Sequence, residues 1–149
     1  MAIRVGSEET GGFRLAGVVL VHPYFWGKEP IGGEEGIPME KRGFAEKLWM
    51  VAKPSSAGAD DPMFNPGMDP ELSRVGCRRV LVCVAEKDMF KDRGWRYGEE
   101  LGGRSGWGGK VEVVESKGED HVFHLFNPTC DTAVALLTRL ASFINQDQE

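Results

Sequence analysis

The chain has 149 residues, 41% hydrophobic and 28% charged, proportions that suit a single globular domain able to bury a proper core. Its net charge of −5 has no basic cluster behind it, which excludes a nucleic-acid surface built on positive charge. The three cysteines, Cys77, Cys83 and Cys130, are odd in number and lack CxxC spacing, which argues against a disulfide framework or a zinc site.

Residues 1–15 hold no continuous apolar segment, and no run approaches the length of a membrane helix. The expectation is a soluble, cytoplasmic protein with neither a membrane nor a nucleic-acid partner. In chain order, residues 1–5 (MAIRV) read as the last turn of a helix closed by Gly6, an odd opening because a lone turn cannot nucleate itself. Gly17 opens and Val21 closes GVVLV, a continuous apolar run of the kind buried on both faces of a parallel sheet. His22-Pro23-Tyr24-Phe25-Trp26 follows at once. A loop after such a strand lies at the carboxyl edge of the sheet, where α/β proteins place ligands, so Tyr24, Phe25 and Trp26 are candidate pocket residues.

Residues 40–52 repeat apolar positions at Phe44, Leu48, Trp49 and Ala52, which predicts a helix buried along that stripe and ended by Pro54. Residues 53–72 contain four prolines and read as a long irregular loop. Residues 79–85 form a second buried strand. A helix over residues 92–101 is expected to stop at Gly102 and Gly103. The alternation KVEVVE at residues 110–115 is a strand nearer an edge. The clearest amphipathic helix covers residues 131–144, with Val134, Leu137, Leu140, Ala141 and Ile144 on one face. Strand and helix alternate three times, which predicts an α/β fold of about three parallel strands flanked by helices.

Asp88 follows the second strand directly, in AEKD. An acid there can accept a hydrogen bond from an imidazole and stabilise the imidazolium. The same position also suits a turn aspartate opening the next helix, and Asp92 is a competing acid with a stronger claim to that helix-start role. His121, past the third strand, could be a general base or a histidine satisfied by backbone. His124 is three residues away, so position alone does not choose between them; His22, before a proline in an aromatic loop, reads as structural.

The nucleophile that such a pair would serve belongs in a G-x-S-x-G elbow, a sharp strand-to-helix turn that exposes Oγ. None of Ser7, Ser55, Ser56, Ser73, Ser105, Ser116 and Ser142 has that context; Ser56 in PSSAGAD comes nearest. An HGGG oxyanion segment is absent, and neither Cys77 nor Cys83 lies on an elbow.

Four stretches carry a resemblance: VLVHPYFWGKEPIGGE, DDPMFNPG, RRVLVCVAEKDMFKDRGWRYGEEL and GEDHVFHLFNP. In this order they resemble the C-terminal half of plant carboxylesterases of the hormone-sensitive-lipase-like α/β-hydrolase family. The resemblance implies the C-terminal half of an α/β-hydrolase fold, with Asp88 as triad acid in preference to Asp92 and His121 as triad base in preference to His124. It implies a small acyl ester as substrate and no cofactor or metal.

Members of that family carry HGGG and GDSAGGN motifs upstream, and the helix after their serine resembles NIAHHMAIRVG. Residues 1–6 resemble the tail of that helix, so residues 1–149 are expected to be a partial α/β-hydrolase domain without its nucleophile. Such a chain is expected to be inactive alone and prone to self-association through the open strand at residues 17–21. Three other functions accompany the resemblance: a non-catalytic fragment, a binding protein like the gibberellin receptors, and a lyase like the hydroxyisoflavanone dehydratases. The receptors have replaced the triad histidine, and His121 argues against that reading.

Overall fold

Valine-rich runs set the centre of the fold. In a computed structural model describing residues 15–146, β1 (Val18–Val21), β2 (Arg79–Ala85) and β3 (Lys110–Ser116) form a parallel sheet in the order β1-β2-β3. Val18 lies opposite Val80, and Arg79 opposite Lys110. The helical turn expected at residues 1–5 lies outside the described residues.

Successive residues of β2 point to opposite faces, and both faces are covered. Val80, Val82 and Val84 pack with Tyr97, Leu101 and Trp107 on one side. Leu81, Cys83 and Ala85 pack with Phe123, Ala133, Leu136 and Phe143 on the other. This two-sided burial is why β2 is an unbroken apolar run. β1 and β3 each pair only with β2 among the described residues.

Helices α1 (Met39–Ala52), α2 (Lys91–Glu99), the single turn α3 (Phe123–Phe126) and α4 (Asp131–Asn145) complete the order. Helix α2 lies close on the first face because it presents glycine there. A Cβ at Gly94 would come 2.5 Å from Val84 Cγ1. Alanine is the better helix former by about 1 kcal/mol, but forcing a methyl into that contact costs about 1–3 kcal/mol. Gly94→Ala is therefore expected to lower folding stability by a net amount on the order of 1 kcal/mol, read as a lower urea midpoint. A raised midpoint would show that the helix can shift freely.

The structure corrects three expectations. In α1 the stripe of Phe44, Leu48 and Ala52 faces outward, with Phe44 65% exposed. The inward residues are Ala45 and, four residues on, Trp49, whose indole stacks on Phe64 at 4.7 Å. In α4 the face on the sheet is Ala133, Leu136, Leu140 and Phe143, while Val134, Leu137, Ala141 and Ile144 are exposed. Both helices carry apolar residues on two stripes, and the packing partner selects one. Helix α2 does not stop at Gly102 and Gly103. It continues through a widened turn, Glu100–Arg104, in which Gly102 lies against Val111 and a Cβ would come within 2.7 Å.

The proline-rich loop after α1 is gathered around buried Asp61, which accepts hydrogen bonds from Lys53 Nζ at 2.7 Å, Ser56 Oγ at 2.9 Å and the Met63 amide at 3.0 Å. The Lys53 ammonium leads in holding the Asp61 carboxyl well below the usual carboxylate range. Ser56 is thus committed to loop structure.

Candidate active site

The turn after β2 presents Asp88. Its amide donates to Ala85 O at 3.1 Å, and its carbonyl accepts from the Lys91 amide at 3.1 Å, which opens α2. The two carboxylate oxygens divide the work. Oδ1 accepts the Phe90 amide at 2.9 Å, and Oδ2 lies 2.7 Å from His121 Nδ1. Asp88 therefore fills both roles considered for it, turn residue and imidazole partner. Its side chain is 1% exposed and that of His121 is 34%, so a buried carboxylate holds an imidazole that reaches solvent. The Asp88 hydrogen bond raises the His121 pKa above the ordinary imidazole value, against the opposing pull of burial.

The loop that delivers His121 is tied back at several points. Glu119 O accepts the Lys87 amide at 2.8 Å, Glu86 Oε2 accepts the Gly118 amide at 2.6 Å, and Asp120 Oδ1 accepts the His121 amide at 2.7 Å. Val122 then adopts φ 48°, in the left-handed region. For a β-branched residue this is strained by about 1–3 kcal/mol. Its amide donates to His22 Nδ1 at 3.1 Å.

His22 is buried at the end of β1, itself at φ 47°, with its amide on Cys83 O at 2.8 Å. Burial pushes its pKa down to about 4, so it is neutral near pH 7. Because Nδ1 accepts, Nε2 carries the proton. His22 Nε2 and His124 Nδ1 are buried side-chain atoms without a hydrogen-bond partner among the described residues. The Asp88 bond separates His121 from its rival His124, whose ring packs between His22 and Phe123.

Beside the Asp88–His121 pair opens a cleft of about 840 Å³, walled by Tyr24, Phe44, Leu48, Phe90 and the pair itself. The outward stripe of α1 thus lines the cleft. Of the three candidate pocket residues, only Tyr24 reaches it, with its hydroxyl donating to Ala45 O at 3.1 Å. Phe25 packs on Tyr97 at the other sheet face, and Trp26 is fully buried, its indole N–H donating to Glu46 Oε1 at 3.4 Å.

Asp92 accepts the Gly33 amide at 2.6 Å and pins the turn Gly32–Gly36 at the cleft rim. A second clamp on that turn has no local sequence signal, since its partners are 59 residues apart: Arg93 Nε and Nη2 bond the two Glu34 oxygens, each at 2.7 Å. Arg93 Nη2 also donates to Glu29 O at 2.5 Å, and Glu34 Oε2 accepts the Ile31 amide at 2.9 Å.

A parallel sheet flanked by helices, with an Asp–His pair and a large cleft at its carboxyl edge, is the architecture of an α/β hydrolase. The chain belongs to the alpha/beta hydrolase fold family, whose model matches residues 1–125. It is 46% identical over 142 residues to Probable carboxylesterase 2 of Arabidopsis thaliana, a match covering 94% of this chain and 44% of that protein. It is 43% identical over 132 residues to Tuliposide A-converting enzyme 2, chloroplastic, of Tulipa gesneriana, covering 87% of this chain and 34% of the relative.

Among solved structures, the hyperthermophilic esterase of Pyrobaculum calidifontis shares the fold with a TM-score of 0.68 at 21% identity, covering 91% of this chain and 45% of that one. The chain spans less than half the length of these relatives. No helix among the described residues is long and apolar enough to cross a membrane. The tulip relative is named chloroplastic, so family membership does not carry the cytoplasmic setting expected from composition.

Proposed function

We propose that this chain carries the acid and base of a serine carboxylesterase acting on small acyl esters. The observation that carries the reading is the 2.7 Å bond between buried Asp88 Oδ2 and His121 Nδ1 at the mouth of the cleft. With its Nδ1 proton on Asp88, His121 has Nε2 free as the base. It takes the proton of an attacking serine hydroxyl and returns it to the departing alkoxide, then repeats the cycle with water to release the acid. Asp88 stays ionised throughout, fixing the tautomer and stabilising the imidazolium. Tyr24, Phe44 and Leu48 offer the acyl group an apolar wall.

The serine is the part not found in this sequence. No serine lines the cleft among the described residues. Ser56 is bound to Asp61, Ser105 Oγ donates to Leu101 O, and Ser142 Oγ to Thr138 O. In this proposal the nucleophile and the oxyanion donors come from polypeptide outside these 149 residues, which form part of an α/β-hydrolase domain. The purified chain is therefore expected to hydrolyse p-nitrophenyl acetate no faster than buffer does. Turnover that disappears in His121→Ala would show that the chain holds its own nucleophile and would overturn this part of the proposal. The same reading expects hydrolysis to appear when a GDSAGG-bearing segment is supplied. Its continued absence in a folded assembly would count against an esterase and for a binding protein or a lyase.

A further inference from the structure

We propose that His22 is the positioning residue of this site: its Nδ1 holds the Val122 amide and so fixes the loop that brings His121 onto Asp88. The inference builds on the reading of His121 as the base, but its geometry and its test concern bonds within this chain alone.

The chain on the two sides of His121 is secured differently. Before it, backbone and carboxylate acceptors of Glu86, Glu119 and Asp120 hold the loop. Immediately after it, Val122 is turned into the left-handed region, which a β-branched side chain disfavours. Its amide points away from helical partners and finds an acceptor 100 residues away, at His22. Without that acceptor a part-buried N–H loses its partner, and the bond from the Leu125 amide to the Val122 carbonyl, at 2.9 Å, is left to oppose the relaxation of Val122 to an ordinary conformation. Such a relaxation would turn the neighbouring imidazole away from Asp88.

His22 suits this role for reasons the sequence position hides. Its amide continues the β1–β2 ladder, so the ring is anchored to the most buried of the described strands. The groups that face it are Asp88, His121 and His124, with the Phe123 ring at 5.5 Å and the His121 and His124 rings at 5.9 and 5.3 Å. Burial keeps it neutral, which leaves Nδ1 an acceptor. A protonated ring would present N–H to N–H and break the contact.

Packing and acceptor roles can be separated by substitution. His22→Leu keeps apolar bulk but removes the acceptor, whereas His22→Asn keeps an acceptor on a smaller side chain. Residue 22 lies at φ 47°, which asparagine tolerates and leucine does not. His22→Gln, which keeps an acceptor without asparagine's backbone preference, therefore serves as the control and is expected to behave as His22→Asn does. The measurement is NMR of histidine-labelled chain, reading the low-field Nδ1 proton of His121 and its titration. In His22→Leu the low-field resonance is expected to be lost and the His121 pKa to fall toward the ordinary imidazole value. In His22→Asn both are expected to persist. The reverse pattern, with Leu harmless and Asn damaging, would mean that His22 only fills space and would overturn the proposal. Should His22→Leu fail to fold, His22→Asn decides alone: retained signals support the role, and their loss in a folded chain defeats it. No ester turnover enters these readings, so a failure of the esterase assignment leaves this result intact, and the converse also holds.

Discussion

Arg93→Ala is expected to cost about 3–5 kcal/mol of folding stability, the range for removing one partner of a buried ion pair. Arg93 and Glu34 are 5% and 1% exposed, so the loss leaves a carboxylate in the interior rather than in water. Glu29 O loses its donor as well. The damage should extend to the cleft, because the pair pins the turn Gly32–Gly36 whose glycines form part of the cleft wall. Arg93→Lys should recover only part of the loss, since an ammonium cannot span both carboxylate oxygens as the guanidinium fork does. Urea unfolding of the three proteins checks this. A midpoint for Arg93→Ala close to that of the unaltered chain would show that the pair adds nothing to the fold.

The second expected result is a loss of stability on mild acidification, on the order of 3 kcal/mol between pH 6.5 and pH 4, from His22. The sign follows from proton uptake. An unfolded histidine binds its proton below about pH 6.5, while folded His22 resists until about pH 4. Over that window the unfolded state holds more protons, so falling pH favours it. His121 acts in a different window. Its folded pKa is raised, so its contribution is complete below the unfolded value and is lost as pH rises through the folded one. The Asp61 carboxyl is held down, so its contribution begins to fade only when pH falls toward the ordinary aspartate range, about 3.9. Stability should therefore peak near the ordinary imidazole pKa. Urea midpoints at pH 7 and pH 4.5 are expected to differ strongly in the unaltered chain and much less in His22→Asn. A profile that is flat from pH 7 to pH 4.5 would contradict the buried, neutral His22.

The parts of the fold that depend on local pattern were legible in the sequence. GVVLV and RVLVCVA are strands because continuous β-branched and apolar runs suit a sheet covered on both faces, and alternation with helices then requires parallel pairing. The positions of Asp88 and His121, each just past a strand, marked a possible acid and base. The family resemblance chose them over Asp92 and His124, and the structure joins this pair by a 2.7 Å bond.

What the chain order left open was decided by packing. Phe44 and Leu48 are as apolar as any core residue, but Ala45 is the residue small enough to let α1 approach Trp26 and Phe64, and the larger pair is left to line the cleft. In α4 the same choice between two apolar stripes fell to Phe143, which lies under the Arg79 guanidinium at 4.4 Å. Tyr24 and Trp26 share the cluster of Ala45, Phe64 and Phe90, while Phe25 between them turns away to pack on Tyr97. The sequence by itself determined the α/β class and the three strands, because these follow from period and composition, and its local positions offered Asp88 and His121 only as candidates beside Asp92 and His124. Only the tertiary structure decided which helix faces are buried, that Arg93 locks Glu34, and that His22 meets Val122. Those pairings join residues 59 and 100 positions apart, and no local preference encodes a contact that exists only once the sheet has brought both ends together.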